Sequence, residues 1–220
     1  AASTFTAVGV SVATVAWGAA SNPAGTRYEA VLSTASPLVT TDAGNILVST
    51  MPQGSPSAYL AGLVSNATYY LSVRGVGHSG GASPYTALGS TVTPPNAPAG
   101  TTVTGVSSSA VVLTWSVNGN AGDTPFEVSY SSKDAFVTGS LIATSPVAAS
   151  SFTGIGGLFS TTTYYFRVRS LGRTGLIAAF DATVSTLTMP PLPGLPGTPA
   201  GAVQGVSSVA WTWGPATDAA

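Results

Sequence analysis

Cysteine is absent from this 220-residue chain, histidine occurs once, and charge is scarce at 6% of residues, against roughly 25% in an ordinary soluble domain. Without cysteine there is no disulfide framework and no thiolate metal site. Without a second histidine there is no His-based metal cluster, and His78 stands between flexible glycines with no carboxylate near it in sequence, so no Ser-His-Asp arrangement forms around it. Six Lys and Arg against seven Asp and Glu leave a formal net charge of -1, which offers no basic footprint for nucleic acid. No apolar run is long enough for a membrane-spanning helix, and the opening AASTFTAVGV has no basic stretch of the kind that begins a signal peptide. No segment carries a useful 3.6-residue amphipathic period either.

What the chain does have is small residues. Apolar residues make up 44% of the chain and mean hydropathy is +0.37, much of it from Ala and Val dispersed among Ser, Thr and Gly. A surface of this kind repels its own copies weakly, so electrostatics will not keep copies apart.

The arrangement of the tryptophans decides the architecture. Trp17, Trp115 and Trp213 stand 98 residues apart, in the similar segments SVATVAWG, AVVLTWS and SVAWTWG. Further on, ATYYLSVRG matches TTYYFRVRS at a spacing of 95, Tyr69 falling on Tyr164. A three-residue deletion between the two blocks accounts for the change. Two full repeats of about 95 residues therefore precede a third that stops just after its Trp.

The local period is that of strands. Tyr69, Leu71 and Val73 alternate with Tyr70, Ser72 and Arg74, and the second repeat does the same from Tyr164. Period two with one apolar face is a half-buried antiparallel strand. Turn clusters such as SNPAG, QGSPS, GHSGG and NGNAGD punctuate the chain. The expected fold is all-β: tandem seven-stranded antiparallel sandwiches.

Each repeat resembles a fibronectin type III domain. The resemblance rests on a Trp on the second strand and on a Leu six residues before a Tyr that opens an alternating strand: Trp17, Leu63 and Tyr69, then Trp115, Leu158 and Tyr164. The proline usual between that Leu and Tyr is replaced by Ser65 and Ser160. The resemblance implies a tyrosine corner in each repeat, with the phenol bonded to nearby backbone. On this reading module 1 spans 1–93 and module 2 spans 101–188. Pro-rich linkers occupy 94–100 and 189–200, and a partial third module of two strands spans 201–220. The linkers are semi-rigid. Trp213, with Val209 and Trp211, is expected to face inward as core. Two strands cannot cover that surface. A piece cut from a longer repeat protein, completion by another copy, or packing on the second module would each resolve this.

Few residues point to chemistry. The densest carboxylates, Asp123, Glu127 and Asp134, straddle a strand and its loops and read as a solvated face rather than a Ca²⁺ cage. Arg167 and Arg169 share an outer face and are expected to pair with Glu127 or Asp181. His78 and Arg173 lie in corresponding loops, where adhesive relatives of the resembled family carry Arg-Gly-Asp; no such tripeptide occurs in this chain. Tyr70 and Tyr165 point outward and, with Tyr59 and Phe159, could stack on glycans or pack between modules. Asn66-Ala67-Thr68 matches a glycosylation sequon. The composite expectation is a non-enzymatic extracellular or cell-surface protein without cofactors, a stalk or fibre subunit. Its partners would be its own copies or further modules of a longer chain. The alternative is an adhesin or carbohydrate-binding module that takes a glycan or protein ligand through His78, Arg173, Tyr70 or Tyr165.

Overall fold

The computed structural model describes residues 3–38, 45, 47–133, 136, 143–147 and 152–215. Asp42 and Asp134 lie outside the described residues. The first repeat forms β1 (Ser3–Val8), β2 (Val12–Trp17), β3 (Arg27–Ser33), β4 (Leu47–Ser49), β5 (Ser57–Ala61), β6 (Thr68–Val76) and β7 (Thr86–Val92). They pair as a three-stranded sheet, β1-β2-β5, and a four-stranded sheet, β4-β3-β6-β7. The second repeat forms β8 (Ala99–Val106), β9 (Ala110–Ser116), β10 (Phe126–Ser131), β11 (Ala143–Val147), β12 (Phe152–Gly156), β13 (Thr163–Ser170) and β14 (Val184–Leu187). It repeats the arrangement as β12-β9-β8 and β11-β10-β13-β14. All pairings are antiparallel.

Alternation along the strands builds two separate cores. In β2 Ala13, Val15 and Trp17 point inward, and in β13 Tyr164, Phe166 and Val168 do. The first core joins these β2 residues to Tyr28, Leu32, Leu60, Leu63, Tyr69 and Leu71; the second joins Leu113, Trp115, Phe126 and Leu158 to the β13 face. Trp17 meets Tyr28 edge-on at 6.0 Å, and Trp115 meets Phe126 at 5.6 Å. Each fully buried side chain of this size stabilises its sandwich by about 1.5–3 kcal/mol relative to exposure.

Both tyrosine corners are present. The Val64 N–H donates to the Tyr69 hydroxyl at 2.9 Å, and the Phe159 N–H donates to the Tyr164 hydroxyl at 3.0 Å. Burial pushes the Tyr69 phenol up, against the opposing pull of the Val64 N–H. Beside each corner a buried threonine, Thr93 or Thr188, bonds backbone on both sides of the turn. The outer ion pairs also repeat, Arg74–Glu29 at 2.6 Å and Arg169–Glu127 at 2.9 Å.

Strand β14 begins at Val184; ahead of it Ala178 and Asp181 donate singly to the Ser170 and Val168 carbonyls. Two expectations need correction. Asp181 does not pair with arginine; its carboxylate accepts the Thr101 N–H at 2.8 Å and ties down the start of the second sandwich. Trp213 is not core here. It follows the ribbon β15 (Ala200–Gly205) and β16 (Ser208–Thr212), where Val209, Trp211 and Trp213 are all more than half exposed. A two-stranded ribbon has no second layer to bury them against.

Asp181 gives the second sandwich a pH dependence. Burial raises its pKa, but hydrogen bonds from Thr101 and Ala182 outweigh that and hold the carboxyl below the usual aspartate range. A depressed folded-state pKa contributes stability that is complete above about pH 4 and is lost as pH falls through the folded value. Acid titration of thermal stability should show this loss in the second sandwich. Asp181→Asn should flatten it, and an unchanged acid limb in that variant would count against the assignment.

Candidate functional site

The most elaborate polar construction among the described residues is the junction between the two sandwiches. It starts from a turn. Asn66, just before β6, has a φ of 55°, in the left-handed region that asparagine tolerates better than most residues. That conformation turns the Ser65–Asn66 edge toward the second sandwich. There the Ser65 N–H donates to the Gly119 carbonyl at 3.1 Å, and the Ala121 N–H donates to the Ser65 carbonyl at 2.9 Å. The result is a β-bridge across the junction, between Ser65 and Asn120.

The Asn66 side chain then reads three groups of its neighbour. Its Nδ2 donates to Thr124 Oγ1 at 3.0 Å and to the Leu171 carbonyl at 3.3 Å, while its Oδ1 accepts the Arg173 N–H at 2.9 Å. Arg173 Nε returns to the Asn66 carbonyl at 2.8 Å, and its guanidinium pairs with Asp123. Asn66 is completely buried. A buried amide with its hydrogen bonds satisfied by one neighbour is specific, because a misfit would leave several polar atoms unpaired.

The linker is built into the same joint. The Asn96 N–H donates to Asn120 Oδ1, and Asn120 Nδ2 donates back to the Asn96 carbonyl, both at 2.8 Å. Asn118 Nδ2 reaches the Ala97 carbonyl at 2.8 Å, and Ser170 Oγ donates to the Asn96 carbonyl. Pro95 and Pro98 are buried. Gly172 is required here: a Cβ on it would lie 2.9 Å from Pro95 Cδ. The linker is thus held by specific contacts, beyond the intrinsic stiffness of proline.

The structure sorts the residues singled out from sequence. Arg173 belongs to this joint, as does Asp123. Asn66, matched as a glycosylation sequon, has its amide enclosed and engaged. His78 lies in the corresponding loop of the first sandwich and is exposed; a Cβ on Gly25 would touch its ring. Tyr70 and Tyr165 stand at matching register on the outer faces, each half-buried. Arg167 pairs with neither Glu127 nor Asp181. Its guanidinium lies between Phe136 and Phe180, 4.0 and 3.9 Å from the ring centres. That burial, with Arg169 beside it, holds its pKa below the usual arginine range. Tyr59 and Phe159 are exposed on separate elements.

Sequence reasoning missed the role of Asn66, although a signal was there. The two repeats differ at the joint: Asn66 corresponds to Thr161, and Arg173 to His78. Thr161 shares the left-handed backbone, with a φ of 47°, but lacks an amide. Among the described residues no group of three or more His, Cys, Asp or Glu could hold a metal ion.

No family model matches the sequence, and no curated protein matches it. Among solved structures, the chain is similar to a two-fibronectin-type-III-domain segment from chicken tenascin. That match has 15% identity and a TM-score of 0.56, and covers 84% of this chain and 97% of that one. A myokine structure is 21% identical over 44% of this chain and 99% of that one, with a TM-score of 0.37. With both sandwiches, both tyrosine corners and the tandem order in place, the chain carries two fibronectin type III folds in series, followed by a two-stranded ribbon.

Proposed function

We propose that the chain is a non-catalytic structural segment of an extracellular or cell-surface protein, a stalk or fibre subunit in which fibronectin type III folds are stacked at a fixed angle. The observation that carries this reading is the joint around Asn66. An ordinary linker between domains leaves them free to move. Here a buried asparagine, a backbone bridge and a hydrogen-bonded linker oppose that freedom. Such a joint transmits orientation, which is what a spacer needs and a flexible tether does not. Low charge and a Ser, Thr, Ala and Val surface favour close contact with other copies or with further modules.

Small-angle scattering and electron microscopy of the chain, across concentration and salt, test this. The expected result is one fixed angle between the two sandwiches under all conditions. Assembly with rising concentration that survives high salt would assign the fibre role, because apolar contacts are not screened. A broad distribution of inter-sandwich angles would overturn the structural reading.

A further inference from the structure

The outer face of the first sandwich carries an open groove of about 700 Å³, between the Ser36–Leu38 segment and strand β7. This lies within the ~300–1,000 Å³ typical of small-molecule sites. Tyr70, Arg74 and Tyr85 line it, with Ser72 and Gly89 between them. Two features keep it open. Ser72 and Gly89 bring almost no side chain, and a β-bulge interrupts the β6–β7 ladder between Leu71 and Ser72. Gly89 has a φ of 134°, a conformation rarely open to other residues. Bulges of this kind re-aim side chains next to binding sites.

The second sandwich provides an internal comparison. Gly89 pairs with Leu71, and at the same register Val184 pairs with Phe166. Ser72 corresponds to Arg167, whose side chain is held between Phe136 and Phe180. The backbone is displaced alike in both: past Phe166–Val184 the Asp181 N–H donates to the Val168 carbonyl, as Thr86 pairs with Val73 past the bulge in β6–β7, so the difference lies in the side chains. Among the described residues, one sandwich therefore covers this face with its own arginine, and the other leaves a groove above Ser72.

The chemistry of the groove is polar and uncharged in sum. Arg74 is already paired with Glu29, with Nη2 to Oε2 at 2.6 Å. Tyr85 donates its hydroxyl to the other Glu29 oxygen at 2.8 Å, and the Arg74 guanidinium covers its ring at 4.6 Å. This triad presents fixed donors and acceptors with no charge left over to attract an anion. Tyr70 adds a half-exposed aromatic ring, and Ser90 a hydroxyl. An aromatic surface beside pre-oriented hydrogen-bonding groups matches a pyranose ring, which has apolar C–H faces and a rim of hydroxyls. We infer that this groove is a binding site for a neutral saccharide, with Tyr70 as the stacking ring and Arg74 and Ser90 as hydrogen-bonding partners. The site stands independently of the stalk reading.

The test titrates the full chain with soluble neutral hexasaccharides (β-glucan, xylan, mannan and chitin fragments) and with hexagalacturonate, following amide NMR shifts. At least one neutral probe is expected to bind, with shifts confined to β6, β7 and the Ser36–Leu38 segment. Tyr70→Ala should weaken binding about tenfold. Ser72→Arg, which copies the second sandwich, should abolish it, and Tyr165→Ala should leave it unchanged. Should Ser72→Arg not fold, Tyr70→Ala at a half-exposed side chain decides the question. No neutral probe bound at millimolar concentration, binding unaffected by the groove variants, or preference for the acidic probe would each overturn the inference.

Discussion

Asn66→Gly is expected to uncouple the two sandwiches while leaving each one folded. Glycine adopts the left-handed backbone at this position without strain, so the substitution isolates the amide from the turn. It removes both Nδ2 donations and leaves the Arg173 N–H without its acceptor. The cost of losing such buried partners is about 1–3 kcal/mol, or roughly a 5- to 150-fold loss in the docked-to-undocked ratio. The linker still prevents separation, so the effect is on orientation rather than on association. Residual dipolar couplings measure this directly. The native chain should require one alignment tensor for both sandwiches, and the variant two. One shared tensor in Asn66→Gly would show that the linker contacts of Asn96, Asn118 and Asn120 hold the joint without the amide.

Trp115→Ala should have the largest effect on stability. The side chain is almost wholly buried and packs on Phe126. Its indole N–H meets no hydrogen-bond partner among the described residues, so its contribution is packing. Truncating a buried Trp costs about 3–5 kcal/mol, a large part of the 5–15 kcal/mol that holds a typical domain. At this domain size that lowers the melting temperature by roughly 15 °C or more. Trp115→Phe, which keeps most of the ring and loses no hydrogen bond, should cost clearly less. The first sandwich has its own core, built around Trp17, and should retain its native amide spectrum while the second unfolds. Simultaneous loss of both spectra would mean that the joint couples their folding, a stronger role for Asn66 than orientation alone.

The two sites differ in how much of them sequence could reveal. Tyr70 and Arg173 were both visible as outward residues of an alternating strand and its following loop. Their surroundings were not. Arg173 meets Asn66 across 107 positions of chain, and no local period encodes such a contact. The groove beside Tyr70 depends on Ser72 and Gly89 being small at adjoining strand positions, which matters only once β6 and β7 are paired. Trp213 was misjudged for the converse reason. Its strand pattern is that of a core residue, but burial needs a second sheet, and among the described residues none covers the ribbon.

The two-sandwich architecture is written in the order of residues alone. Trp spacing, strand alternation and the Leu-to-Tyr interval are local or periodic, and each expresses a constraint that every copy of the fold must meet. The joint and the groove emerge on folding. Both are differences between repeats, Asn66 for Thr161 and Ser72 for Arg167, and their meaning comes from neighbours that folding brings together from distant parts of the chain.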